Sequence, residues 1–181
     1  MRIISGKYKG KRLAAPNKLP VRPTTDFAKE ALFNILNNKV IFSKVSLLDL
    51  FSGTGNISFE FGSRGTETIV SVDQHYGCVK YINKIAEELS FPIQTVKADV
   101  LKYLNSARLK FDVIFADPPY DIGDQSFEEI VKKVFHNEWL NEEGFLIIEH
   151  SKHTDLSNSE YFIEARRYGG SVFSFFEKNN L

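Results

Sequence analysis

The sequence predicts an α/β protein whose sheet is mostly parallel and ends in an antiparallel hairpin. From Val45 onward, short apolar runs alternate with amphipathic stretches, and this repeated spacing is typical of a parallel sheet covered on both faces. The ending differs, because Gly169-Gly170 is a turn signal between two extended runs. We therefore expect the parallel strands first and one antiparallel pair last.

The individual elements follow from hydrophobic periodicity. Strands are predicted at Val45–Leu50, Thr68–Val72, Ile93–Lys97, Phe111–Ala116 and Phe145–Glu149, and the terminal hairpin at Tyr161–Arg167 and Ser171–Glu177. Helices are predicted at about Ile57–Ser63, Tyr76–Leu89, Val100–Ser106 and Phe127–Asn137.

The front of the chain differs in character. Arg2–Ser5 and Lys11–Ala14 are expected to pair as a small basic hairpin, followed by a loop from Pro16 to Pro23. Thr24 or Thr25 is expected to cap a helix that runs to about Asn38. We expect residues 1–40 to form a basic N-terminal extension and residues 41–181 to form the main domain.

Composition bounds the class of protein. With 181 residues, 43% of them hydrophobic and 25% charged, the chain is typical of one soluble domain with a sizeable core. Its one cysteine, Cys78, cannot form an internal disulfide, which favours a reducing cytoplasm. No apolar run approaches the roughly 20 residues that span a bilayer, and the first residues do not resemble a signal peptide. We expect a cytoplasmic monomer with no membrane partner.

The net charge of zero conceals a strong asymmetry. Residues 1–44 hold ten Lys or Arg against two Asp or Glu, and the first 22 residues hold seven basic side chains and no acid. Such an asymmetry indicates that the front of the chain contacts a polyanion.

A glycine-containing loop follows the first predicted strand. Asp49 lies near the end of that strand, and the loop Phe51-Ser52-Gly53-Thr54-Gly55-Asn56 leads into a helix. Glycines let the backbone approach a ligand, and a helix N-terminus offers free N–H groups. A dinucleotide fingerprint would have glycine where Ser58 stands, and a phosphate-binding loop would have Gly-Lys-Ser/Thr. Asp49 suits the ammonium group of a ligand better than a pyrophosphate.

Two more acids end the next two strands. Asp73 follows Gly53 by twenty residues, a position from which a carboxylate can accept both ribose hydroxyls of a nucleoside. Asp99 follows the third strand and can accept from an adenine amino group. One such acid is more often a solvated strand end or a helix cap, but three on one rim predict a nucleoside site.

Asp117-Pro118-Pro119-Tyr120 follows the fourth strand directly. Two prolines cannot continue a strand, so the chain must turn at the edge where open α/β sheets bind ligands. Asp-Pro-Pro is also ordinary loop chemistry, and a Tyr often covers a core edge. With a nucleoside site on the same rim, the carboxylate, the carbonyls and the aromatic ring suit a flat heterocycle that carries an amino group.

These two motifs resemble those of S-adenosylmethionine-dependent methyltransferases that modify exocyclic amino groups. Their signature is an acid-x-Phe-x-Gly-x-Gly loop, present as Asp49–Gly55, and a later Asp/Asn-Pro-Pro-Tyr/Phe, present as Asp117–Tyr120. At the front, Arg2–Gly6, Gly10–Leu13, Arg22–Asp26 and Glu30–Asn34 resemble the bacterial 16S ribosomal RNA guanine-N2 methyltransferase family (RsmD). The resemblance covers essentially the whole chain. One departure is Phe27, where that family commonly has a basic residue.

The resemblance implies a Rossmann-like class I methyltransferase fold with a seven-stranded sheet. It implies transfer of a methyl group from S-adenosylmethionine to the N2 amine of a guanine in 16S ribosomal RNA, at guanine 966. It implies Asp117, Pro118 and Tyr120 as catalytic residues, and the small ribosomal subunit or its RNA as partner.

Two larger sets of residues complete the predicted site. The cofactor-binding residues are Asp49, Phe51, Ser52, Gly53, Gly55, Asn56, Asp73 and Asp99. The RNA-binding residues are Arg2, Lys7, Lys9, Lys11, Arg12, Arg22 and Lys29. No metal is expected, because the four histidines, His75, His136, His150 and His153, are scattered.

Other functions stay open at this stage. The acceptor of the methyl group can be adenine N6 in DNA or RNA, or a protein glutamine amide, although the basic front disfavours the glutamine. A non-catalytic RNA-binding factor for ribosome assembly would not need the amine acceptors of Asp117–Tyr120. A nicotinamide dehydrogenase is disfavoured by Ser58 and by the proline pair.

Overall fold

The computed structural model describes residues 1–16, 19, 25–105, 109–119 and 122–178, and it confirms the predicted α/β fold. The strands are β1 (Ser46–Leu50), β2 (Thr68–Asp73), β3 (Ile93–Lys97), β4 (Phe111–Ala116), β5 (Leu140–Ser151), β6 (Phe162–Tyr168) and β7 (Ser171–Glu177). The α-helices are α1 (Asp26–Lys39), α2 (Asn56–Ser63), α3 (Tyr76–Leu89), α4 (Val100–Tyr103) and α5 (Asp124–His136), with a short 3-10 turn at Phe42–Lys44.

The seven strands form one sheet in the order β3-β2-β1-β4-β5-β7-β6. The first five strands run parallel, and β7 pairs antiparallel with both β5 and β6. The carboxyl ends of β1 to β5 therefore meet at one edge. The strand order reverses between β1 and β4, which opens a crevice at that edge.

Alternating side chains of the central strands fill two cores, as expected for strands that are buried on both faces. Leu48 of β1 and Ile114 of β4 pack with α5, and their neighbours Leu47 and Phe115 pack with α1 and α2. The sheet therefore lies between two layers of helices.

β5 is longer than the sequence indicated. It begins at Leu140, and its polar start pairs with β4 across an irregularity between Phe111 and Val113. There Asn141 donates to Asp112 Oδ1 at 2.7 Å. The polar start of β5 has no alternation of apolar and polar residues, so the sequence predicted only the apolar end of the strand.

The N-terminal segment forms a tight hairpin that is closed by one antiparallel bridge, between Arg2 and Arg12. Within it, the Ile3 amide donates to the Lys11 carbonyl at 2.9 Å, and the Gly10 amide donates to the Ile3 carbonyl at 2.8 Å. Ile3 and Leu13 are buried in a third apolar cluster, which they share with α2 and α3. The hairpin is therefore packed onto the sheet-and-helix body.

Thr25 caps α1, because its side chain accepts a hydrogen bond from the Ala28 amide at 3.2 Å. The alternative cap Thr24 lies outside the described residues, as does most of the predicted loop between Pro16 and Pro23. The division at residue 40 stays a prediction. α1, which precedes it, shares a core with the sheet. No helix within the described ranges has the length and apolarity to cross a bilayer.

Candidate active site

A cleft of about 840 Å³ lies at the carboxyl edge of the sheet. It brings together residues from the ends of β1, β2, β4 and β5 and from the turn that precedes α4. The described residues that line it include most of the predicted catalytic and cofactor-binding residues: Asp49, Phe51, Ser52, Gly53, Asn56, Asp73, Asp99, Asp117 and Pro118. Gly55, which was also predicted, is not among the lining residues.

The loop between β1 and α2 has an unusual backbone. Phe51 and Gly53 have φ values of 59° and 53°, and Gly55 has a φ of 76° at the start of α2. A Cβ on Gly55 would lie 2.9 Å from Ile82 Cγ1, so both the conformation and the packing require glycine there. The positive φ of Phe51 is uncommon for a bulky residue, and such strain is concentrated at functional sites.

Asp49 is a buried carboxylate at the floor of the cleft. It is 2% exposed, and its Oδ2 accepts hydrogen bonds from the amide and the hydroxyl of Ser58. Burial raises the pKa of Asp49 to about 7, against the opposing effect of the Ser58 hydrogen bonds. A cationic group in the cleft would stabilise the ionised form.

Asp73 is arranged as a rigid acceptor. Its Oδ2 accepts from the Gly53 amide at 2.8 Å, and its Oδ1 accepts from the His75 amide at 2.8 Å. Each carboxylate oxygen has a second lone pair, so both oxygens can still accept from a ligand diol. These bonds also fix the loop between β1 and α2 to the end of β2.

Asp99 has a structural role besides its position in the cleft. It caps α4, since its Oδ1 accepts from the Lys102 amide at 2.9 Å. The carboxylate has acceptor sites left for a ligand amine.

The Asp117–Pro119 turn leaves the sheet beside β1. The Asp117 amide lies 3.4 Å from the Leu50 carbonyl, which keeps the turn next to the end of β1. Asp117 is half-buried, Pro118 is buried and Pro119 is exposed. Tyr120, the third predicted catalytic residue, lies outside the described residues.

Lys29 corrects one prediction. It is 1% exposed, and its Nζ donates to the Arg2 carbonyl at 2.6 Å and to Asn56 Oδ1 at 2.8 Å. Its ammonium also lies 3.5 Å from Glu60 Oε2. Burial lowers the pKa of Lys29, although Glu60 opposes that shift. A buried ammonium with these bonds cannot contact RNA, so Lys29 ties the hairpin to the loop of the cleft instead.

The remaining basic candidates lie on the surface of the hairpin. Arg2, Lys7, Lys9 and Arg12 are exposed, whereas Lys11 is half-buried and pairs with Glu88 at 3.3 Å. Arg22 lies outside the described residues. Phe27 is 67% exposed and packs edge-on against Tyr168, with 6.4 Å between the ring centroids.

Several polar residues of the cleft were not predicted as site residues from the sequence: Thr25, Thr54, Gln74, His75, Glu149 and Ser171. Glu149 is the one with a detectable signal. It ends the predicted fifth strand, as Asp73 ends the observed second strand, and the same reasoning applies to both acids. Thr25 and Ser171 are ordinary cap and strand-start residues that only the three-dimensional fold brings to the cleft.

No group of three or more His, Cys, Asp or Glu residues that could hold a metal ion occurs in the described part of the chain. His150 is buried beneath the sheet edge, where Nε2 lies 2.8 Å from Ser174 Oγ and Nδ1 lies 2.9 Å from the Ser151 carbonyl oxygen. Burial lowers the pKa of His150. These bonds give it a structural role.

Comparison with known proteins identifies relatives over most of the chain. The family model described as "Conserved hypothetical protein 95" matches residues 1–177. A Bacillus subtilis protein named "Putative rRNA methyltransferase YlbH" is 34% identical over 161 residues, which cover 86% of this chain and 85% of that protein. A Buchnera aphidicola protein named "Ribosomal RNA small subunit methyltransferase D" is 31% identical over 150 residues, with 82% and 75% coverage.

Solved structures share the fold. A structure titled "Putative methyltransferase yhhF from Escherichia coli" superposes with a TM-score of 0.82 at 24% identity and covers 97% of this chain and 96% of that chain. A Thermus thermophilus structure titled as a 16S rRNA N2 G1207 methyltransferase in complex with AdoMet and guanosine gives a TM-score of 0.70 at 19% identity. It covers 89% of this chain and 45% of that chain.

Proposed function

Because the chain belongs to the family described as conserved hypothetical protein 95, with relatives named as ribosomal RNA methyltransferases, we propose that it methylates a guanine of 16S ribosomal RNA on N2. The nucleotide we propose is guanine 966. The observation that carries this function is the meeting of Asp117 and Pro118 with Asp49, Asp73 and Asp99 in one cleft.

S-adenosylmethionine is the cofactor that fits these residues. We assign Asp73 as acceptor for its ribose hydroxyls, Asp99 for its adenine amine and Asp49 for its ammonium group, since all three acids line the cleft. Gly55 supports the loop from its core side, because a Cβ there would meet Ile82 of α3 and Phe59 of α2. When bound, the cofactor supplies a sulfonium methyl group, which is a strong electrophile.

The guanine amine is a poor nucleophile, because its lone pair is delocalised into the ring. We assign the Asp117 carboxylate and the Pro118 carbonyl as acceptors of its two hydrogens, which favours a pyramidal nitrogen with an available lone pair. A methyl group delivered by the bound cofactor would leave positive charge on the nitrogen until one of its two protons passes, through the Asp117 carboxylate, to solvent. Asp117 stabilises that charge where it develops.

Positioning accounts for the rest of the proposed rate enhancement. A base held in line with the methyl group makes the transfer effectively unimolecular. We propose that Tyr120 stacks on the guanine for this purpose. The turn at Pro118 and Pro119 fixes the backbone from which both acceptors project.

We propose that residues 1–40 grip the RNA through phosphates. Arg2, Lys7, Lys9 and Arg12 are exposed on the hairpin, and Arg22 remains in the proposal. Such contacts orient a nucleic acid without reading its sequence. The Arg2 carbonyl is joined through the buried Lys29 to Asn56 of the cleft, so the hairpin is anchored next to the site.

Labelled S-adenosylmethionine tests the class of acceptor. The protein is incubated with small ribosomal subunits from cells that lack it, with DNA and with a protein extract, and Asp117→Ala serves as the impaired control. We expect label in the RNA of the small subunits, entering at least about 100-fold more slowly with the control. Label in DNA or protein would replace the proposal with one of the rival acceptors, and binding of RNA without any transfer would indicate a non-catalytic assembly factor.

A further inference from the structure

Glu149 is a buried carboxylate that the proposed mechanism leaves without a role. It is 3% exposed, yet it lines the cleft. In the sheet Ile148 lies opposite Ala116, so Glu149 is level with Asp117 on the neighbouring strand. Neighbouring strands are about 4.8 Å apart, which places the two acids side by side at the sheet edge.

The direction of the Glu149 side chain follows from strand alternation. Ile147 packs into the core that contains α1, and Ile148 packs into the opposite core. Glu149 therefore lies on the α1 side of the sheet, where Thr25 and Ser171 also line the cleft. Burial of a carboxylate costs desolvation free energy. An acid at this buried position in the cleft therefore indicates that it binds a polar ligand.

The Watson–Crick edge of guanine matches two adjacent acids. Guanine presents the N1–H donor directly beside its N2 amine, whereas adenine presents an unprotonated N1 beside its N6 amine. A carboxylate has about four acceptor sites, so Glu149 can keep its bonds within the protein and still accept from a base. An N1 lone pair placed against the same carboxylate would be repelled.

We propose that Glu149 accepts a hydrogen bond from the N1–H of the target base and thereby selects guanine over adenine. This inference rests on the proposed function and adds a specificity-determining residue to it. Enzymes that act on an extruded base read its Watson–Crick edge by such hydrogen bonds. A site built around one substrate N–H rejects analogues that lack it far more strongly than a site of the right shape alone.

The test uses 2-aminopurine, which keeps the exocyclic 2-amine but has an N1 acceptor in place of N1–H. Small subunits are reconstituted with guanine or 2-aminopurine at the target position, and kcat/KM is measured for both. We expect the wild-type protein to prefer guanine by at least about 100-fold, on the scale of a lost polar contact.

Glu149→Gln is the informative variant, because an amide can either accept from guanine N1–H or donate to the N1 of 2-aminopurine. We expect the preference for guanine to fall at least tenfold. The matched control is Glu143→Gln, an exposed position on the same strand, which should keep the wild-type ratio. An unchanged ratio in Glu149→Gln, with normal cofactor affinity, would overturn the proposal.

Two further outcomes separate this inference from the proposed function. A wild-type protein that methylates guanine N2 and 2-aminopurine equally well would refute the role of Glu149 alone, even if the variant failed to fold. A wild-type protein that never methylates guanine N2 would refute the proposed function and this inference with it.

Discussion

Asp117 is the residue on which the proposed chemistry depends most. Replacing Asp117 by Ala removes the acceptor that stabilises charge on the nitrogen, and we expect kcat to fall by roughly 10²–10³, the scale of one lost stabilising group. Cofactor affinity, measured by calorimetry, should stay near the wild-type value, because the residues assigned to the cofactor are elsewhere in the cleft. A folded variant with the wild-type rate would show that Asp117 has a different role.

The raised pKa of Asp49 predicts that cofactor binding depends on pH. Its pKa of about 7 means that half of the free protein carries a protonated Asp49 near neutrality, whereas a bound ammonium favours the carboxylate. Binding must therefore release a proton below pH 7, and the affinity should fall about tenfold between pH 8 and pH 6 by linkage.

Two controls isolate this effect of Asp49. Asp49→Asn should bind the cofactor more weakly and lose the pH dependence between pH 6 and pH 8. 5′-Methylthioadenosine, which lacks the ammonium, should bind the wild-type protein without that dependence. A flat pH profile for S-adenosylmethionine itself would contradict the assignment of Asp49 to the ammonium.

At the scale of elements, Glu60 of α2 joins the hairpin to the body. Its carboxylate accepts from the Ile4 amide at 2.9 Å and the Ser5 amide at 3.0 Å, and it pairs with Arg64 at 3.0 Å and with Lys29. Gly6 continues this contact, because a Cβ there would lie 1.9 Å from the Ser63 carbonyl oxygen. The hairpin is therefore seated on α2 by polar bonds as well as by Ile3 and Leu13.

Glu60→Gln tests that attachment. The substitution leaves two buried cations without their counter-charge, and we expect the free energy of unfolding in urea to fall by about 3 kcal/mol, the cost of breaking a buried pair. Hydrogen exchange at the Ile4 and Ser5 amides should accelerate. Glu67→Gln, an exposed position after the same helix, should change neither measurement. Unchanged exchange in Glu60→Gln would mean that other contacts hold the hairpin.

The helices and strands differ in how well the sequence predicted them. Helices and strands with a clear apolar period, such as α3 and β4, were predicted with their observed bounds. Lys29 was assigned to RNA together with the other basic residues at the front of the chain. Only the fold reveals the Glu60 carboxylate that makes its burial tolerable. α5 begins at Asp124, before its first apolar residue, so periodicity placed its start too late.

At the scale of the whole molecule, the sequence predicted the sheet and its functional edge because acids at successive strand ends share a rim in any parallel sheet. Asp49, Asp73, Asp99 and Asp117 do meet in one cleft. The strand-end rule also applies to Glu149, but only the register of β5 against β4 shows that Glu149 lies level with Asp117.

The uneven distribution of charge predicts how RNA binding responds to salt. Binding through phosphates releases counterions, so the affinity should fall linearly with salt on a log–log plot. Lys9→Gln, on the exposed hairpin, should reduce that slope by roughly one. Lys132→Gln, an exposed lysine of α5, should leave it unchanged. An affinity that is insensitive to salt would exclude the hairpin as the RNA grip.

The identity of the methylated nucleoside tests the central claim most directly. Small subunits from cells that lack the protein are treated with it and S-adenosylmethionine, and their RNA is digested and examined by mass spectrometry. We predict N2-methylguanosine as the new nucleoside, formed at least about 100-fold more slowly when Asp117→Ala is used. The account would be contradicted by N6-methyladenosine as the new nucleoside. It would also be contradicted if no new nucleoside formed although folded protein, S-adenosylmethionine and intact small subunits were all present.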